Sequence, residues 1–128
     1  KPTTLIAMDK PQVTIDGPAP AELVLEDLEV GTGPEAERGK RVAVHYVGVA
    51  HSDGAEFDNS YDRGDPLVFN LGAGQVIRGW DDGIVGMKVG GRRRITIPPH
   101  LGYGARGAGG VIKPNETLVF VCDLVGVR

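Results

Sequence analysis

The chain has few aromatic side chains, almost no cysteine and no long apolar run. Aromatics are 5% of its 128 residues: three Phe, three Tyr and a single Trp. Cys122 is the only cysteine, which excludes a disulfide framework within the chain. Its apolar, strand-like surroundings predict a buried, inert thiol. No stretch approaches the ~20 apolar residues of a membrane-spanning helix, and no apolar segment follows a basic start. Positive charge is not in excess either. Fourteen Lys and Arg stand against seventeen Asp and Glu, a net charge of −3, with a pI near 5.6. That balance argues against nucleic acid or an anionic membrane as partner. The expectation is a soluble, cytoplasmic protein. With no surplus apolar stripe visible, it is also expected to be a monomer.

Glycine and proline are abundant, at 20 and 9 residues. They favour short strands joined by tight turns over long helices. A chain of this length suits one domain that buries roughly two thirds of its unfolded surface, without a disulfide or metal staple. Residues 1–21 carry Pro2, Pro11, Pro18 and Pro20 and show no sustained period, so they read as a flexible, poorly anchored arm. Within it Met8 reads as a native start and residues 1–7 as a leftover of expression. Residues 22–128 then form the domain.

Strand signals recur through that domain. Leu23 to Val30 is the first, ended by Gly31 and Gly33. From Arg41 to Val49 the alternation places Val42, Val44 and Tyr46 on one face and Ala43, His45 and Val47 on the other. Asp53-Gly54 suits a hairpin turn before Ala55 to Asn59. Leu67 to Leu71 is another short strand. Gly91 to Ile97 puts Arg93, Ile95 and Ile97 on one side and Arg92, Arg94 and Thr96 on the other. Thr117 to Val127 is apolar on both faces, as a central strand must be. Only one segment reads as a helix. Ile77, Trp80 and Ile84 fall on one face at i, i+3, i+7, with Arg78, Asp81 and Asp82 opposite, and glycines at 83 and 86 end it. These elements predict an α+β fold: a curved antiparallel sheet of five to six strands around one short helix. Trp80 on that contact either fills core or floors an apolar pocket.

Several local patterns carry less than they first suggest. Gly102 to Gly107 matches G-x-G-x-x-G, but two prolines precede it and no helical pattern follows, so a phosphate site is not expected. The run Arg92-Arg93-Arg94 splits across two strand faces and reads as a solvated sheet edge or rim. Asp58 to Gly64 resembles a calcium loop but ends at Phe69 where an oxygen ligand is needed. His45, His51 and His100 have no metal-ligand spacing, and no cofactor is called for. No Ser or Cys sits in a nucleophile's context. Residues His100 to Pro114 form a long glycine-rich loop, and loops of that length in small domains are usually functional or disordered. The residues alone point to a pocket without a reactive centre: a binding module or a non-covalent enzyme.

Five stretches together resemble the FKBP-type peptidyl-prolyl cis/trans isomerases. They are Val44-His45-Tyr46-Val47-Gly48, Phe57-Asp58-Asn59-Ser60, Val76-Ile77-Arg78-Gly79-Trp80, Gly102-Tyr103-Gly104-Ala105 and Thr117-Leu118-Val119-Phe120. Their order and spacing match across residues 21–128, with no large insertion between Gly102 and Thr117. The resemblance implies a half-open sheet wrapped around the helix and a single minimal domain. It implies catalytic roles for Tyr46, Phe57, Asp58, Trp80, Tyr103 and Phe120. Substrate or macrolide contacts would come from Arg63, Leu67, Phe69, Gln75, Val76, Ile77, Gly102, Val111 and Ile112. It further implies X-Pro isomerisation in polypeptides and binding of macrolides of the tacrolimus and rapamycin type. The alternative is a non-catalytic scaffold or chaperone that holds proline peptides. Leu67 stands where the family often has an aromatic, and Ala108 where a histidine is common. Both thin the implied pocket wall.

Overall fold

The computed structural model describes residues 8–128. The expectations for residues 1–7 lie outside the described residues. Six strands form the antiparallel sheet: β1 (Val24–Glu29), β2 (Arg41–Ala50), β3 (Glu56–Asn59), β4 (Leu67–Asn70), β5 (Arg92–Ile97) and β6 (Leu118–Val127). A short helix, α1 (Arg78–Gly83), lies between β4 and β5 in the chain. The order across the sheet is β1-β5-β6-β2-β3, with β4 also pairing β2. β3 takes Val47 to Val49 of β2 and β4 takes Arg41 to Val44, so the two short strands share one edge of β2. The loop between them, 60–66, is therefore held at a corner of the sheet.

The alternation read from sequence is kept. Val42, Val44, Tyr46, Ile95, Ile97, Leu118, Phe120, Cys122 and Leu124 build the concave-side core with Trp80 and Ile84 of the helix region. β6 is buried along nearly its whole length because β5 and β2 flank it. Cys122 is fully buried, and burial pushes its thiol well above the ordinary cysteine range, so it is unreactive. Helix α1 approaches β5 closely because residue 79 has no side chain: a Cβ there would lie 2.6 Å from Ile97.

Two expectations need correction. The arginine run is not a solvated edge. β5 lies between β1 and β6, and Arg93 is only 9% exposed. Its guanidinium donates to the carbonyls of Gly83 (2.8 Å) and Val85 (3.1 Å) and pairs with Asp27 at 2.7 Å. A cation at that place caps the last carbonyls of α1, where the helix dipole is negative. The sequence pattern placed Arg93 on the core face, but it did not reveal that a helix end lay beneath it.

The second correction concerns the arm. Val13 and Ile15 pack against Val47, Val49 and Val119 on the convex face. Lys10 lies 3.4 Å from both Glu56 and Asp62, and Arg92 donates to the Asp9 carbonyl. The signal is a short alternation, with Pro11, Val13 and Ile15 partly buried between exposed neighbours. It is too brief to register as a strand, and it forms none. Deleting residues 1–16 should therefore expose part of a Val/Ile cluster and cost about 1–2 kcal/mol. Melting should fall by a few degrees to roughly 8 °C for a domain of this size. A calorimetric scan showing no change would mean that these contacts contribute nothing.

Candidate functional site

The helix, the concave face and two loops meet at a cavity of about 210 Å³ lined by Tyr46, Phe57, Asp58, Leu67, Gln75, Val76, Ile77, Trp80, Tyr103 and Phe120. Its floor is aromatic because β2, β6 and α1 each contribute one ring. Trp80 is 3% exposed and stands edge-on to Tyr46 (centroids 4.9 Å, 84°) and to Phe120 (5.3 Å, 86°). Phe57 meets Phe120 edge-to-face at 5.5 Å. Such T-shaped contacts fix ring orientation as well as burying area. Gly48 makes room for this cluster, since a Cβ there would lie 2.6 Å from Phe120 and 2.8 Å from Phe57.

One wall is polar. The Tyr46 hydroxyl donates to Asp58 at 2.5 Å, and Arg63 donates to Asp58 Oδ1 (2.7 Å) and to the Tyr46 oxygen (2.9 Å). Burial, and then the hydrogen bond to Asp58, push the Tyr46 phenol up to about 12. The Tyr46 and Asp58 contacts raise Arg63 above its usual range, so it stays a cation. Arg63 also lies 5.7 Å over the Tyr46 ring. The wall is thus a hydrogen-bonded triangle in which the Tyr46 phenol stays neutral and Arg63 stays a cation near neutral pH.

Of the other residues named from sequence, Phe69, Gly102, Val111 and Ile112 do not line this cavity. Phe69 is buried behind Trp80, 5.8 Å between centroids, and supports the indole from below. Ile112 belongs to the same core cluster, with Ala108 packed against it. Val111 is 61% exposed and points away from the core. Gly102 lies beside Leu118 and Ile97 at the start of the long loop, and Tyr103, 42% exposed, stands at the cavity mouth. Gln75 is oriented by its backbone neighbour, because its Oε1 accepts the Asn70 N–H at 2.8 Å.

Asp81 has a part in the site that sequence reasoning missed. Read as a solvent-side helix residue, it is buried and accepts the backbone N–H groups of Gly72 (2.8 Å) and Gly74 (2.9 Å). Both glycines have φ near +80°, at 86° and 73°, which other residues rarely adopt. Asp81 thus shapes the loop that delivers Gln75, Val76 and Ile77 to the cavity. The clue was local: a helix acid seven to nine residues after the glycines of a turn. The apparent calcium loop is also explained. Asp62 N–H bonds to Asn59 Oδ1 at 2.8 Å, closing the turn locally, and no metal-binding cluster occurs among the described residues.

Comparison with known proteins agrees with this arrangement. Residues 33–125 match the profile of the FKBP-type peptidyl-prolyl cis-trans isomerase family. An "FK506-binding protein" of Streptomyces anulatus is 60% identical over 124 residues, covering 95% of this chain and 100% of the relative. One from Neisseria meningitidis serogroup A is 55% identical over 105 residues, 82% of this chain and 95% of its own. Among solved structures, that of AtFKBP13 superposes with a TM-score of 0.77 at 43% identity, covering 86% of this chain and 96% of its own. FkpA from Escherichia coli superposes at 0.75 and 44% identity, covering 83% of this chain and 48% of its own. The matched residues take in every strand except β1 and the last two residues of β6, and we conclude that this chain belongs to the FKBP-type peptidyl-prolyl cis-trans isomerase family.

Proposed function

We propose that the protein accelerates rotation about X-Pro bonds in polypeptides by non-covalent stabilisation of the twisted amide. Resonance loss sets a barrier of ~20 kcal/mol for that rotation. The planar amide is the more charge-separated form, so an apolar, water-excluding site favours the twisted one. Binding the twist more tightly than either planar isomer is sufficient for catalysis. Carrying this reading is the pairing of a ring-walled cavity with a single fixed polar wall and no serine, threonine, cysteine, lysine or histidine among its lining residues. In this proposal Trp80 supports the prolyl ring, with Phe57 and Phe120 alongside. The Tyr103 hydroxyl and the Ile77 N–H hold substrate carbonyls, and Asp58 faces the rotating amide.

At about 210 Å³ the cavity is smaller than the roughly 300–1,000 Å³ of sites that enclose drug-sized ligands. It suits one ring-sized group, so a macrolide would seat a single ring and lie across the rim. Adding a tacrolimus- or rapamycin-type macrolide should then change Trp80 fluorescence saturably. Leu67, 37% exposed at the rim, is the place to add wall: Leu67→Phe should tighten macrolide binding by about 0.5–1.5 kcal/mol. Titration calorimetry showing weaker binding would mean the rim is already full.

An isomerase assay on a short Leu-Pro or Phe-Pro peptide tests the central reading. Turnover should be flat from about pH 6.5 to 8, because no general acid or base acts in the step. Tyr103→Phe removes one neutral hydrogen bond, worth about 0.5–1.5 kcal/mol, so the rate should fall only several-fold. Saturable peptide binding without any rate above the uncatalysed one would make the protein a proline-peptide scaffold or chaperone instead.

A further inference from the structure

Behind the polar wall, on the convex side of the sheet, lies a second buried contact that the isomerase reading does not use. Ser60, fully buried at the end of β3, has its Oγ 2.7 Å from His45 Nδ1 and accepts the Tyr46 N–H at 2.7 Å. Its own N–H donates to the Tyr46 carbonyl at 3.0 Å, and its hydroxyl lies 3.4 Å from that same oxygen. Ser60 therefore grips both backbone groups of Tyr46. Asp58 lies two residues before Ser60, within β3, which ends at Asn59. The Tyr46–Ser60 rung thus sets the distance across which the Tyr46 hydroxyl reaches Asp58 at 2.5 Å.

We propose that Ser60 and His45 are positioning residues for the catalytic wall: the imidazole directs the Ser60 hydroxyl, and Ser60 fixes the Tyr46 main chain on which the Tyr46–Asp58 contact depends. The inference rests on the isomerase reading. A hydroxyl has one hydrogen to give. With neutral His45, Ser60 gives it to Nδ1 at 2.7 Å and keeps its lone pairs for the Tyr46 N–H. With protonated His45, Nδ1–H donates instead, and the hydroxyl hydrogen must turn to the Tyr46 carbonyl. That oxygen is 3.4 Å away and already occupied by the Ser60 N–H. Protonation thus keeps the 2.7 Å His45–Ser60 contact with its donor reversed, and turns the hydroxyl hydrogen toward a longer, already occupied acceptor on the residue that carries the wall.

The surroundings of His45 favour its neutral form. Tyr61 stacks on the ring at 4.5 Å, and burial lowers the imidazole below its ordinary value. Arg63 in the loop 60–66 opposes protonation and Asp65 in the same loop assists it. On β6, the strand partner Asp123 is fully buried and held by Arg92 of β5 through a two-pronged contact (2.6 and 2.9 Å) and by the Tyr61 hydroxyl. Burial alone would lift Asp123 to about 7, but three donors on its oxygens favour the carboxylate. That charge is therefore spent on Arg92 and Tyr61. Because His45 is lowered, its neutral form and the Ser60 hydroxyl orientation set by it persist at neutral pH and are lost as pH falls through that lowered value.

Three full-length proteins test this: wild type, His45→Asn and His45→Leu, assayed for kcat/KM from pH 5 to 8. Asn offers an amide near the Nδ1 position and does not titrate; Leu fills space without an acceptor. Wild type should lose about threefold to tenfold activity on the acid side, mainly in kcat. Asn should stay within about twofold of wild type at pH 7.5 and show no acid limb. Leu should be reduced about threefold to tenfold at all pH values. The proton resonance of the Tyr46 hydroxyl reads the same contact without turnover: acid should weaken it in wild type and not in the Asn variant. An acid limb that survives in both variants, or a Leu variant equal to wild type in rate and in the Tyr46 resonance, overturns the proposal. A wild type without isomerase activity refutes the isomerase reading instead, and the resonance then decides the positioning claim by itself.

Discussion

Trp80→Ala is expected to lower stability by roughly 3–5 kcal/mol, the usual cost of truncating a buried aromatic. For a domain of this size that corresponds to a melting point lower by roughly 10–20 °C. The size follows from position: Trp80 touches Tyr46, Phe69 and Phe120, so its removal opens a cavity under the helix that three rings cannot fill without rotating. In the proposed mechanism the same change removes the floor on which a prolyl ring rests. Losing apolar contact worth about 1.5–3 kcal/mol would reduce kcat/KM by roughly 10- to 100-fold. Trp80→Phe separates shape from chemistry. Trp80 Nε1 is buried without a hydrogen-bond partner among the described residues, so replacing the indole with a ring lacking that donor removes an uncompensated polar atom. Phe should therefore keep most of the stability and a large share of the activity. If Ala and Phe prove equally harmful in melting and in rate, then the indole acts through something other than filled volume.

The parts of this fold that could be read in advance are those where one physical signal acts alone. β2 and β6 were legible because period-two alternation, or its loss on a doubly covered strand, is set by burial. Helix α1 has only six residues, yet its i, i+3, i+7 apolar face sufficed because glycines end it. The indole on the sheet-facing side of that helix left core filler and pocket floor both open, and Trp80 is at once 3% exposed and part of the cavity lining. Where two elements compete for one residue the reading failed. Arg93 has the chemistry of a solvent-facing residue, and only the helix end above β5 makes its burial favourable. Asp81 likewise belongs to a loop that precedes it, through backbone N–H groups that carry no sequence identity. The arm failed for a different reason: Val13 and Ile15 are too few to form a period, and their partners lie more than thirty residues away.

Asp58→Val should separate activity from stability most clearly. Its pair with Arg63 is about half exposed, 51% and 41% for the two side chains, so its contribution to folding is small, about 0–1 kcal/mol. Melting should shift by no more than a few degrees. The wall facing the substrate, however, loses its only carboxylate and the partner that orients the Tyr46 hydroxyl. A hydrogen bond to a charged group contributes about 1.5–3 kcal/mol, so kcat/KM should fall roughly 10- to 100-fold while measurable turnover remains. Tyr46 provides a second readout. With its phenol raised to about 12, the stability it confers is complete below pH 10 and is lost as pH rises from about 10 to 12. Burial is the larger cause of that shift and Asp58 the next, so the variant should keep most of the elevation and lose part of it. Tyrosinate absorbance should therefore appear at somewhat lower pH in Asp58→Val than in wild type. A loss of activity by four orders of magnitude or more in a folded variant would instead require Asp58 to move a proton or form a bond in the reaction. Desolvation and shape would then be insufficient to explain turnover.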